Sequence, residues 1–157
     1  MRHIPTSDTF HAGVLSFEDA LIQTADDYDR SRWLYIPDHY SEYRYILGTR
    51  GKHPLICIGI NPSTAAPDRL DNTLKSAERI ALGNGYDSFI MFNVYAQRAT
   101  IPDDMEPVLN PMLHAENMKA FTWVLEHVSA AGRPERFRTG RRRSPSDSFF
   151  SGRNSRS

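Results

Sequence analysis

Residues 55–60, Leu-Ile-Cys-Ile-Gly-Ile, form an unbroken apolar run. Continuous rather than alternating apolarity predicts a strand buried on both faces, as in a parallel sheet. Residues 89–94 repeat the pattern and predict a second buried strand. Between the two runs, Asn61-Pro62-Ser63-Thr64 breaks the first. Asp71 or Asn72 can then cap a helix by accepting backbone N–H bonds. Leu74, Ala77, Ile80 and Ala81 give that helix an apolar stripe, and Gly83 or Gly85 ends it. Strand, helix and strand across residues 55–94 make a β-α-β unit, whose strands should be parallel with a right-handed crossover. Upstream, residues 33–36 and 43–47 are aromatic and β-branched, with Pro37-Asp38-His39 between them. They read as two antiparallel strands, followed by a turn over residues 48–52. Residues 17–22 predict a short helix or strand. Downstream, Asn110-Pro111 opens a helix with Asn as cap and Pro in the first turn, and Met118, Phe121, Leu125 and Val128 as its stripe. The alternation then requires a third parallel strand, but an Arg-rich stretch begins instead. The expected fold is therefore α/β and three-layered, with a central, mostly parallel sheet that is incomplete at the C-terminus. It occupies residues 31–130, after a variable segment of residues 1–30.

Charge divides the chain at the same place. The net formal charge is zero over 157 residues. Residues 1–130 carry 11 Lys+Arg and 17 Asp+Glu, whereas residues 131–157 carry eight Arg and two acids. Arg, Ser, Gly and Pro dominate that tail, a composition that buries no core and predicts disorder. It has three readings. Arg141-Arg142-Arg143 binds nucleic acid or an anionic surface, the tail is an inert solvated terminus, or it is out-of-frame translation of GC-rich DNA. The length suits one modest domain. No apolar run approaches the roughly 18–20 residues that span a bilayer. The first residues lack the apolar core of a signal peptide, so the expected location is cytoplasmic. A single cysteine, Cys57, excludes an internal disulfide framework and any multi-cysteine metal site. Within its apolar run, Cys57 reads as a small core residue.

Candidate chemistry follows from topology. Open parallel sheets bind ligands beyond the carboxyl ends of their strands. The β-α-β unit puts Asn61, Ser63 and Thr64 at the end of one strand. It puts Asn93, Tyr95, Gln97 and Arg98 at the end of the other. Asp71 and Thr73 open the intervening helix on the same edge. The free N–H groups of that helix N-terminus suit a phosphate or carboxylate, and Arg98 can add a bidentate grip. Each residue also has a plainer role. The 61–64 segment can be a turn with hydroxyl caps, and Asp71 only an N-cap. Asn93 can tie loops together rather than face a ligand. Arg98 can pair with Asp103 or Asp104 at the surface. The six histidines show no ligand spacing, so no metal site is assigned. Neither a Walker loop nor a G-x-G-x-x-G is present, and the cofactor is unassigned.

Three stretches together resemble a known family. They are YRYILGTRGKHPLICIGINPSTA, LDNTLKSAERIALGNGYDSFIMFNVYAQRAT and Glu116-Asn117. Their order, Tyr-Arg-Tyr, Asn-Pro-Ser-Thr-Ala, Asp-x-Thr, Asn-x-x-x-x-Arg-Ala-Thr and Glu-Asn, is similar to the bacterial and archaeal domain of unknown function 1643. Family members continue with a strand and an Ala-Ala-Trp-Gly motif. Here Ser129-Ala130-Ala131-Gly132 begins like it, then lacks the Trp, which points to a frameshift or truncation near Ala131. The family has no established reaction, so the resemblance implies little about activity. Gly59-Ile60-Asn61-Pro62 is also similar to a motif of mismatch-type uracil-DNA glycosylases, in which the Asn positions the attacking water. That resemblance implies the same role for Asn61, although Ser63 replaces a Gly of the motif and no DNA-intercalating motif follows. The acidic balance of residues 1–130 opposes a large nucleic-acid interface.

The leading expectation is an enzyme acting on a small anionic ligand, nucleotide- or nucleobase-like, at the carboxyl edge of the sheet. Asp71 is its candidate general base, as the one carboxylate in the motif set. Asn61 and Asn93 orient ligand or water, Ser63, Thr64 and Thr73 bind oxyanion or phosphate oxygens, and Arg98 neutralises charge. The alternatives are a non-catalytic binding module and a glycosylase-like nucleobase hydrolase.

Overall fold

The computed structural model describes residues 1–5 and 13–131. All of the Arg/Ser-rich tail except Ala131 lies outside the described residues. Four strands, β1 (Trp33–Ile36), β2 (Ile46–Thr49), β3 (Pro54–Gly59) and β4 (Ser88–Asn93), form one sheet in the order β1-β2-β4-β3. Among the described residues three α-helices accompany them: α1 (Phe17–Leu21), α2 (Asn72–Gly83) and α3 (Pro111–Ala131).

The β-α-β unit forms as its pattern dictates. β3 and β4 run parallel, with Leu55 opposite Phe89 and Gly59 opposite Asn93. The rest of the sheet corrects the expectation of a mostly parallel one. β1 pairs antiparallel with β2, and β2 pairs antiparallel with β4, so the sheet is mixed and mostly antiparallel. The reason is strand order. The β1–β2 hairpin docks through β2 onto the inner side of β4, a non-local pairing that hydrophobic period alone does not specify. Gly48 permits it. In β2 it faces Ile90, and an added Cβ there would collide with the Phe89 carbonyl oxygen and sit 2.8 Å from Ile90 Cα. The strand therefore continues through Gly48 and Thr49, where a turn was expected.

β4 is buried along its whole length, as its run predicts. β3 is not. It is the outer strand among the described residues and is only half-buried, with Ile58 60% exposed. Alternate side chains of β4 divide between two core clusters. Phe89 and Met91 pack with Leu74, Ala77 and Ala81 of α2. Ile90 and Phe92 pack with Phe17 and Ala20 of α1 and with Leu113, Ala120 and Val124 of α3. Full burial of such a side chain contributes about 1.5–3 kcal/mol.

The helix ends follow their caps. Asp71 caps α2, its Oδ1 accepting the Leu74 N–H at 3.0 Å. Asn110 caps α3, its Oδ1 accepting from Met112 and Leu113 N–H at 3.1 and 3.2 Å. Asn84 ends α2, and Gly85 then takes a positive φ of 84°. The stripe of α3 is rotated from the expected one. Leu113, Asn117, Ala120 and Val124 are buried, whereas Leu125 is exposed. In α2, Ile80 likewise faces outward. No helix among the described residues is long and apolar enough to cross a membrane.

Candidate functional site

The chain leaves β3 and β4 side by side, and hydrogen bonds hold the two exits together. Val94 N–H donates to Gly59 O at 2.9 Å and Tyr95 N–H to Ile60 O at 2.8 Å. Further on, Ala99 N–H donates to Pro62 O at 2.9 Å, and Asn61 Nδ2 donates back to Ala99 O at 2.8 Å. A cavity of about 250 Å³ opens at this edge, against the N-terminus of α2. Asn61, Ser63, Asp71, Thr73 and Asn93 all line it, so five of the seven expected site residues converge there.

The two others lie elsewhere. Thr64 is half-buried in the loop and does not line the cavity. Arg98 does not line it either. It is fully buried and binds the loop from within, donating to Ser63 O at 2.6 Å, Ala65 O at 3.0 Å and Tyr35 Oη at 3.0 Å. Its guanidinium also stands 4.0 Å from the centre of the Tyr40 ring. The surface pairing of Arg98 with Asp103 or Asp104 is thereby overturned, and Asp104 instead pairs with Arg2 at 2.7 Å. Desolvation, not proximity to an acid, dominates Arg98 and lowers its pKa.

Arg44 is the cavity residue that sequence reasoning missed. It lines the cavity yet is only 1% exposed. It donates to Asn93 Oδ1 at 3.0 Å and weakly to Ala65 O at 3.4 Å. Its Nε is buried without a hydrogen-bond partner among the described residues. Among the described residues, none of the ion pairs includes Arg44 or Arg98. Burial, reinforced by repulsion from Arg98, pushes the Arg44 pKa down to about 9. Asp71 partly offsets this across the cavity. The signal was there to read: a cation flanked by Tyr43 and Tyr45 in an otherwise apolar run.

Asn93 connects the strand end to that arginine. It is buried, and Asn117 Nδ2 donates to its backbone carbonyl at 2.8 Å. Its side-chain amide lies over Gly59, where an added Cβ would come within 2.6 Å of Nδ2. Gly59 is thus small because Asn93 must reach across it to Arg44. Asn93 both ties elements together and faces the cavity. Asp71 caps α2 with one oxygen, and Asn61 spends its Nδ2 on the carbonyls of Pro62 and Ala99. Ser63 Oγ bonds Thr100 Oγ1 at 3.0 Å, and Thr100 lines the cavity as well. Thr73 is exposed at its rim. Among the described residues no group of His, Cys, Asp and Glu is placed to hold a metal ion. The half-buried Cys57 thiol is pushed up by burial, as suits a packing residue.

Fold and site define a small mixed α/β domain with a buried arginine in a polar cleft at the carboxyl ends of its two parallel strands. The family model for Protein of unknown function (DUF1643) matches residues 44–133, more than half of the chain, and the chain belongs to this family. The match begins at Arg44 and spans the remaining residues of the cleft. Among curated proteins and among solved structures, none matches the chain.

Proposed function

We propose that the cleft binds a small anionic ligand of nucleotide- or nucleobase-like kind, with Arg44 holding the anion. The observation that carries this reading is Arg44 itself: a buried guanidinium at the cleft wall that has no carboxylate partner among the described residues. A buried charge is costly unless something of opposite sign meets it. An anion bound in the cleft supplies that partner. The N-terminus of α2 adds free N–H groups and a partial positive charge on the same side.

In the enzymatic form of this reading, Asp71 is the general base, because among the described residues it is the one carboxylate that lines the cleft. Asn61 has its Nδ2 engaged and keeps Oδ1 to accept a hydrogen bond from water, the role a nucleobase hydrolase would need. A non-catalytic binding module is favoured by the structural use of both residues, Asp71 as a cap and Asn61 as a loop tie. Asp71→Asn separates the two, since Asn caps as well as Asp. A base would lose turnover of the bound ligand and keep affinity, whereas a binding module would keep both its fold and its affinity with no turnover to lose. A cytosolic setting suits this ligand class.

Calorimetric titration of inorganic phosphate into the full chain tests the anion site. Saturable binding is expected, weakened at least tenfold by Arg44→Gln and left within twofold by Arg69→Gln, an exposed control. No binding, or equal loss in both variants, would overturn the reading.

A further inference from the structure

A second cavity, of about 450 Å³, lies next to the cleft, and Pro102 lines both. That volume is in the range of small-molecule sites. Its walls are largely apolar, with Met105, Val108, Leu109 and Leu113 contributing, and Tyr95 adds an aromatic ring. One buried amide joins them. Gln97 is 9% exposed, and its Oε1 accepts the Glu106 N–H at 3.0 Å. Because a backbone N–H can only donate, that bond fixes which way the amide is turned. Nε2 is therefore a donor, and it is buried with no hydrogen-bond partner among the described residues. Buried donors without partners are uncommon in folded proteins and mark places where something else completes the bond.

We infer that this cavity receives the uncharged ring of the ligand whose anionic group meets Arg44. The ligand class is a nucleoside monophosphate. It joins an anion to a planar ring that is apolar on its faces and carries acceptors on its edge. The faces suit the apolar walls and Tyr95, and an acceptor completes the Gln97 Nε2 bond. The inference rests on the anion-site reading for one half of the ligand, while the cavity beside Pro102 and the unpaired amide carry the other half.

The test is calorimetry on the full chain with inorganic phosphate, ribose 5-phosphate, the four common ribonucleosides and their 5′-monophosphates. At least one monophosphate is expected to bind 30-fold or more tighter than ribose 5-phosphate. Gln97→Met should bring that monophosphate to within threefold of ribose 5-phosphate and leave phosphate affinity within twofold. Val108→Trp fills the cavity from an exposed position and should do the same, which guards against a Gln97 variant that fails to fold. Monophosphates that bind no tighter than ribose 5-phosphate would overturn the inference and leave the anion site standing. Nucleosides that bind with Gln97 dependence, while phosphate does not bind, would support the ring cavity and overturn the anion reading. No binding by any probe would overturn both.

Discussion

Replacing Arg44 by Met separates a residue kept for a ligand from one kept for the fold. The charged guanidinium is fully desolvated, and its pKa falls to about 9. At about 1.4 kcal/mol per pKa unit, the charge costs the folded state about 5 kcal/mol at neutral pH. Met fills much of the same volume without that cost. Against the gain stands the lost bond to Asn93 Oδ1, about 1.5–3 kcal/mol for a bond to a charged group. The bond to Ala65 O matters less, because it is long at 3.4 Å and Arg98 serves the same carbonyl at 3.0 Å. The balance puts Arg44→Met at a gain of roughly 2–3.5 kcal/mol. Urea denaturation in phosphate-free buffer measures it, with phosphate titration on the same samples. The expected pair of results is a fold at least as stable and a binding site that is lost. A structural arginine behaves in the opposite way: removing one partner of a satisfied buried pair costs about 3–5 kcal/mol. A loss of that size in Arg44→Met would refute the reasoning.

The other predictions concern pH and two glycines. Arg44 holds its proton only below about pH 9, so phosphate affinity should be flat from pH 7.5 to 8.5 and decline above about 9 in calorimetry. Stability responds with the opposite sign. Above about pH 9 the unfolded chain still keeps the Arg44 proton and the folded one does not, so the parent should gain stability relative to Arg44→Met as pH rises past that point. Gly48→Ala forces a Cβ into the β4 backbone and should cost more than about 3 kcal/mol in urea unfolding, in the range of severe overpacking. Gly59→Ala displaces the Asn93 amide instead, so phosphate affinity should fall about threefold to tenfold, with a stability loss of about 1–2 kcal/mol.

The sequence made the local parts of this molecule readable. Asp71 and Asn110 cap where their position before apolar stripes implies, and the 55–94 unit folds as strand, helix and strand. Because parallel neighbours share an edge, the strand and helix order alone implies that Asn61, Ser63, Asp71, Thr73 and Asn93 converge. What failed was non-local. Which side of β4 the hairpin would take depends on Gly48 allowing close approach, and a hydrophobic pattern does not encode that choice. The exposure of β3 has the same origin, since an apolar run reads alike at the centre and the edge of a sheet. The two arginines exchanged roles for a related reason. Arg98 sits in a polar loop sequence and reads as accessible, yet the loop folds over it. Arg44 sits among tyrosines and reads as part of a strand, yet it reaches the cleft. Burial of a cation is decided by what packs over it, and that lies many residues away.

The measurement that bears most directly on the anion cleft is an NMR titration of the isotopically labelled full chain with inorganic phosphate. It follows the Arg44 Nε resonance and the side-chain amides of Asn61 and Asn93. Anion binding at Arg44 predicts saturable shifts at all three, with one shared dissociation constant, and their absence in Arg44→Gln. Silent resonances at these three groups, or shifts confined to exposed lysines and arginines, would contradict it.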